Sequence, residues 1–231
     1  MMNDIKRPSL FWYFTEGIRT TFQFLRCLFF MWFYSYPVKG DGHPVIVVPG
    51  FLGSDLSTSL LRKFLTKAGY TVYGWDLGRN LGDLEDLPRL SQRIEAVYNQ
   101  HKRPVTVIGW SLGGIYVREC ARLNLPAIRQ IITLGSPFAA LDAPNHARWI
   151  FDLIHKGEAI DQDWIKKIAE PVPVRTACLY SKQDGIVPWK ACMETVTDAL
   201  HENIKVSSSH FGFVANRFVF RILAENRLPL Q

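Results

Sequence analysis

An α/β fold, built as a doubly wound and mostly or wholly parallel sheet of about six strands, is what this sequence predicts. Three observations lead there. From residue 43 onward, short apolar runs alternate with segments of helical periodicity. The runs are continuous rather than alternating, which suits strands covered on both faces. The composition is that of a folded chain: 48% of the 231 residues are hydrophobic and 21% charged, which excludes intrinsic disorder. At this length one domain is the default, with room for one modest insertion.

Residues 10–36 precede the alternation and are crowded with Phe, Trp, Tyr and Leu. They do not read as a cleavable signal peptide, because Glu16, Arg19 and Arg26 interrupt the apolar run and no A-x-A-like site follows. The uncharged stretch from Cys27 to Tyr36 would make about 15 Å of helix, too short to span a bilayer. Helical spacing explains the segment better. Leu10, Phe14, Ile18, Phe22, Leu25, Phe29 and Trp32 recur every three or four residues on one face, with Glu16, Arg19, Gln23 and Arg26 opposite. After Arg26 the polarity is lost, since Phe30, Met31 and Tyr34 make the helix apolar all round. Two placements follow. The helix packs on the domain with its far end buried, or it lies in a membrane surface as a peripheral contact. Residues 1–42 are accordingly read as an N-terminal amphipathic, aromatic helix, and 43–231 as the main domain.

Val45 to Val48 is the first strand, ended by Pro49 and Gly50. A helix over 57–68 presents Leu60, Leu61, Phe64 and Leu65 on one face. Thr71 to Trp75 is a strand, followed by a polar loop and a helix over 88–101. Val105 to Ile108 leads through a glycine-rich turn into a helix over 112–124. Strands at 128–134, 174–180 and 204–206 complete the series. Residues 138–170 break the rhythm with two helical stripes, Trp149, Ile150, Leu153 and Ile154, then Trp164, Ile165 and Ile168. They read as a helical lid insertion above the carboxyl ends of the strands, where ligands bind in open α/β sheets, or as a packed crossover.

Charge and cysteine content narrow the function. The 27 Lys and Arg against 21 Asp and Glu give a net charge of +6 with no basic block, so a nucleic-acid partner has no support, while an anionic membrane face remains open. Cys27, Cys120, Cys178 and Cys192 form no CxxC pair; no zinc or other metal site is expected, and a reducing compartment fits. The expected location is cytoplasmic, peripheral on the inner membrane face under the second placement of the helix.

The chemistry is concentrated at three strand ends. Gly109, Trp110, Ser111, Leu112 and Gly113 follow a strand and open a helix, the context that a nucleophile elbow requires. Ser111 would stand at a helix N-terminus, where free N–H groups favour developing negative charge. A serine hydroxyl needs a base, and the base a carboxylate. Asp184 follows the strand 174–180, and His210 follows the last short strand. The order Ser111, Asp184, His210 is the one expected of such a sheet. Asp76 is the alternative acid. His43, His101, His146, His155 and His201 are weaker alternatives to His210. Two backbone N–H groups would hold the oxyanion, that of Leu112 and that of Phe51 in the loop Pro49 to Gly53. The stretch Gly78 to Gly82 lacks the Lys-Ser/Thr of a phosphate loop, and Arg79 is expected to pair with Asp83 or Asp86.

With these pieces in place, residues 43–225 resemble an α/β-hydrolase, of the bacterial lipase/esterase branch with a Pro-Gly-Phe oxyanion loop. The matching segments are Val47 to Phe51, Gly109 to Gly114, Ile132 to Pro137, Ser181 to Asp184, and His210. The resemblance implies a nucleophile at Ser111, an acid at Asp184, a base at His210, and activity on ester or lipid-like substrates without a cofactor. The sequence departs from the family in carrying Pro49 where many lipases have His, in lacking two N-terminal strands, and in its aromatic helix. Two other functions use the same chain: acyl transfer through the same serine, or binding without catalysis at a membrane.

Overall fold

The computed structural model describes residues 5–34, 39–123, 126–146 and 162–228. Helix α1 (Leu10–Phe33) comes first and is capped by Ser9, whose Oγ accepts from the Trp12 N–H. There follow β1 (Pro44–Val48), α2 (Ser59–Lys67), β2 (Thr71–Gly74), α3 (Asp86–His101), β3 (Val105–Trp110), α4 (Leu112–Leu123) and β4 (Ile128–Leu134). A 3-10 turn (Phe138–Ala140), α5 (Gln162–Ala169), β5 (Arg175–Tyr180), β6 (His201–Lys205) and the short α6 (Arg217–Arg221) complete the regular elements used below.

The six strands form one wholly parallel sheet in the order β2-β1-β3-β4-β5-β6. Both faces are covered, as the continuous apolar runs require. Val45 and Val47 of β1 point to one side, into a cluster with Leu61, Phe64 and Phe220; Ile46 and Val48 point to the other, among Leu90, Ile94 and Val117. The chain builds outward from β1 to β2, then returns to add β3 on the opposite side of β1. The strand order reverses between β1 and β3, and the carboxyl ends of strands at such a switch point are where open α/β sheets bind ligands.

Two expectations are corrected. The last strand runs over 201–205, so His201 opens it rather than preceding it. As an edge strand paired only with β5, it carries Glu202 and Asn203 where a central strand would be apolar. The all-round apolar second half of α1 is not buried all round: Phe30, Met31 and Tyr34 pack on the core, whereas Trp32 is 84% exposed. The insertion is packed in its described part. Ile168 is buried with Ile115 and Phe138, and Trp164 lies against the same cluster. The stripe of Trp149, Ile150, Leu153 and Ile154 lies outside the described residues, and so does His155.

The insertion is fastened by one buried cation. Arg118, on α4, donates from Nε to the Ile168 carbonyl (3.2 Å) and from Nη2 to the Glu170 carbonyl (2.7 Å), and its Nη1 pairs with Glu194. Its guanidinium lies 3.8 Å from the Phe138 ring centroid. Both partners of the ion pair are fully buried, so removing one leaves an uncompensated charge. Arg118→Ala is expected to lower stability by about 3–5 kcal/mol, read from urea unfolding. A loss below about 1 kcal/mol would mean that water replaces the guanidinium.

Candidate active site

The turn from β3 into α4 sets the geometry. Ser111 is held at φ 53°, a left-handed conformation that costs a non-glycine residue about 1–3 kcal/mol. The close approach of neighbouring groups demands glycine around it. A Cβ on Gly109 would strike the Gly113 carbonyl, one on Gly113 would strike the carbonyls of Val48 and Pro49, and one on Gly114 would strike the Ser136 side chain. The turn is anchored by the Ser111 N–H on the Leu134 carbonyl (2.9 Å). Ser111 is thereby placed at the N-terminus of α4, close against Gly50 of the loop after β1.

Asp184 sits on the loop after β5 and is buried. Its Oδ1 accepts from the N–H groups of Ile186 (2.8 Å) and Val187 (2.9 Å), which fixes the carboxylate plane. Its Oδ2 meets His210 Nδ1 at 2.7 Å, and His210 Nε2 meets Ser111 Oγ at 3.0 Å. The three residues predicted from the sequence are thus brought into one hydrogen-bonded chain. Burial alone would push the His210 pKa down; the Asp184 carboxylate overrides it by charge and hydrogen bond, and Glu16 adds to the effect. The His210 pKa stands above its ordinary 6.5.

Two further contacts hold the loops that carry this pair. Ser181 Oγ donates to the Ser208 carbonyl (2.7 Å) and accepts from the Ser208 N–H (3.1 Å), tying the Asp184 loop to the His210 loop. Trp110, one residue before Ser111, donates from Nε1 to the His210 carbonyl (3.1 Å).

Helix α1 supplies the part that sequence reasoning missed. Glu16 is only 3% exposed. Its Oε2 accepts from the Gly185 N–H (3.2 Å) and its Oε1 from the Phe211 N–H (3.1 Å), so one carboxylate spans the residues following Asp184 and His210. Arg19 neutralises it at 2.8 Å and donates from Nη1 to the Gln183 carbonyl (2.8 Å). Gln23 Oε1 accepts from the Ser209 hydroxyl (2.8 Å). Side chains at positions 185 and 212 would collide with Trp12 and Gln23 respectively, so glycine admits the helix at both loops. Burial pushes the Glu16 pKa up from 4.5, with His210 opposing and Asp184 reinforcing that shift. The signal was present in the sequence as the spacing of Glu16, Arg19 and Gln23 on one face. Periodicity did not say that this face turns inward.

The loop after β1 is held by Asn80, also missed. Buried Asn80 donates from Nδ2 to the Pro49 carbonyl (2.9 Å), accepts from the Leu52 N–H (2.7 Å) and donates its own N–H to the Gly53 carbonyl (2.8 Å). Phe51 lies between Leu52, whose N–H is spent on Asn80, and Gly50, where a Cβ would come within 3.0 Å of Ser111 Cβ. Leu112 opens α4 directly after Ser111. Arg79 does not pair with Asp83 or Asp86; its Nη1 donates to the Leu52 carbonyl (3.3 Å), and Asp86 pairs with Arg89.

The alternative residues are engaged elsewhere. Asp76 is exposed and pairs with Arg93. His43 bridges Asp41 and Thr106, His101 meets the Tyr73 hydroxyl, and His146 stacks on Tyr13. His201 bridges Asp198 and the Val172 carbonyl.

Residues 45–213 match the profile of the alpha/beta hydrolase family. Among solved structures, a mature lipase of Bacillus licheniformis is similar at 18% identity and a TM-score of 0.59, covering 81% of this chain and 91% of the lipase. Lipase B of Aspergillus fumigatus is similar at 16% identity and 0.62, covering 84% of this chain and 54% of that one. Mouse alpha/beta hydrolase domain-containing protein 10 is similar at 16% identity and 0.51, covering 81% and 88%. At these identities the likeness is one of fold. Among curated proteins none matches in sequence at a significant level.

Because Glu16 faces His210 and Asp184 and is itself paired with Arg19, Glu16→Gln is expected to lower the pH at which the His210 imidazole titrates, followed by NMR. An unmoved midpoint would mean that Arg19 already cancels the Glu16 charge at the imidazole.

Proposed function

The chain belongs to the alpha/beta hydrolase family, and from that premise we propose that it is a serine hydrolase of carboxylic esters. The observation that carries this reading is the continuous chain from Asp184 through His210 to Ser111, ending on a strained turn at a helix N-terminus.

In this reading Ser111 Oγ attacks the ester carbonyl carbon while its proton passes to His210 Nε2. The carbonyl oxygen takes up the negative charge and is held by the backbone N–H groups of Leu112 and Phe51. When the tetrahedral centre collapses, the ester C–O bond breaks and the departing alkoxide takes the proton from His210. An acyl group then remains on Ser111. Water attacks the acyl carbon, gives its proton to His210, and a second collapse releases the carboxylic acid and returns the proton to Ser111. Asp184 keeps the imidazole in the tautomer with a proton on Nδ1 and stabilises the imidazolium at each step. The cycle draws only on side chains and backbone of this chain. Ester or lipid-like substrates are the class that both the site and the similar lipases favour.

Ser111→Ala is expected to lower kcat on nitrophenyl esters by about 10³-fold or more while leaving the melting curve in place. A serine-reactive phosphonate should label the wild type and not the variant. Wild-type rates in the variant would end the assignment.

The pH profile gives a second test. Catalysis needs a neutral imidazole, so kcat/KM should fall as pH drops through the His210 pKa, with a midpoint above 6.5. Asp184→Asn removes the charge that opposes burial, and the midpoint should move to lower pH along with a loss of rate. A midpoint that stays fixed would mean that Asp184 does not govern the base.

A further inference from the structure

Helix α1 is amphipathic in the opposite sense to a surface helix. Its polar residues Glu16, Arg19 and Gln23 face the domain, beside Phe30 and Met31 near its C-terminal end, and most of its large apolar residues face outward. Phe14, Ile18, Phe22, Leu25, Phe29 and Trp32 form an exposed stripe, with Phe14 75% exposed. Exposed Phe24 and Phe33 mark the edges, nine residues and so about 180° apart around the axis. The helix is 24 residues, or about 36 Å, long. An apolar surface on the order of 1,000 Å² results, against roughly 300–600 Å² for the largest patch on a typical monomer. One facing helix covers a narrow seam, so half a helix circumference of aromatic side chains calls for a continuous apolar medium.

The charge beside this face selects the medium. Lys6 and Arg7 are exposed just before the stripe begins, and Arg26 is exposed near its edge. At the N-terminal end of α1, Lys6 and Arg7 line a cavity of about 400 Å³ together with Lys182, Lys190, Trp12 and Trp189, and the buried Asp184 borders it. Lys182 Nζ lies 4.7 Å and Lys190 Nζ 5.9 Å from the Trp189 ring centroid. None of these four cations pairs with a carboxylate among the described residues. Among the described residues no helix is long and apolar enough to cross a membrane, so α1 would lie along a surface.

We propose that the outer face of α1 docks on an anionic lipid surface, with the basic cavity at its N-terminal end meeting the headgroups. Aromatic side chains enter the acyl boundary while Lys6, Arg7, Lys182 and Lys190 remain at headgroup level. Docking brings the loops of Asp184 and His210 to the lipid, because the opposite face of the same helix holds them. The docking stands apart from the ester chemistry, since it is read by binding and not by turnover.

The test is flotation of the full chain with vesicles of phosphatidylcholine, alone or with about a third phosphatidylglycerol. The wild type should float with the anionic vesicles and more weakly with the neutral ones. Phe14→Glu combined with Phe22→Glu should leave the protein at the bottom of the gradient, with an unchanged melting curve and unchanged hydrolysis of a dissolved short-chain ester. Replacing Lys6, Arg7, Lys182 and Lys190 together by Gln should weaken binding to anionic vesicles by about 10³-fold and remove the preference for them. A wild type that fails to float, or a double-Glu variant that floats equally well, overturns the proposal. So does a wild-type dimer that the double-Glu variant dissociates without any lipid binding, which would assign the face to a second copy of the chain.

Discussion

Ser111 is held at a positive φ by backbone that closes around it from three directions, and the remaining parts of the site are arranged about that constraint. The carbonyls of Val48 and Pro49, the backbone of Gly113 and Gly114, and the side chain of Ser136 all stand within reach of positions that only glycine can fill. Because β1, β3 and β4 are adjacent in the sheet, this packing also fixes the loop after β1 against the start of α4. The strain at one serine is thus sustained by the sheet order, and a shift of β1 relative to β3 would relax it.

The second organising contact is electrostatic. A carboxylate from α1, buried and compensated by Arg19, accepts hydrogen bonds from backbone just beyond both Asp184 and His210. Burying such a group is costly, and its cost is offset by charge-assisted bonds to two N–H groups and a guanidinium. Asp184 lies on a turn, and His210 ends an irregular stretch at the start of the 3-10 helix Phe211–Ala215. What fixes them is a network of side chains: Ser181 to Ser208, Trp110 to His210, and Glu16 and Gln23 from outside the sheet.

Much of this was legible in the sequence where one physical requirement maps onto adjacent residues. The elbow could be read because close backbone approach demands glycines at fixed offsets, and Asp184 and His210 because they follow strands. Strand β6 was misplaced because an edge strand lacks the apolar run that identifies a central one. Asn80 leaves no mark in the sequence, because an amide that braces a loop through a backbone carbonyl has no characteristic spacing. Arg79 was assigned to nearby acids by proximity in sequence, whereas it donates to a carbonyl on the loop beside it in space. For α1 the two faces were identified correctly, but periodicity is blind to which one turns inward. Here hydrogen bonds to Gly185, Phe211 and Ser209 decided it, against the usual preference for burying the apolar side.

The inversion of α1 bears on modularity. By composition the chain divides near residue 42, with an aromatic segment before it and an alternating sheet after. By packing it does not, because Cys27 lies within the main core and Phe30 and Tyr34 pack against the Phe64 ring. Helix α1 is therefore part of the same packed unit as the sheet. A fragment beginning at β1 would leave the N–H groups of Gly185 and Phe211 without their carboxylate. A change at an outward aromatic side chain leaves the hydrogen bonds to the two loops in place, whereas a change at Glu16, Arg19 or Gln23 removes them.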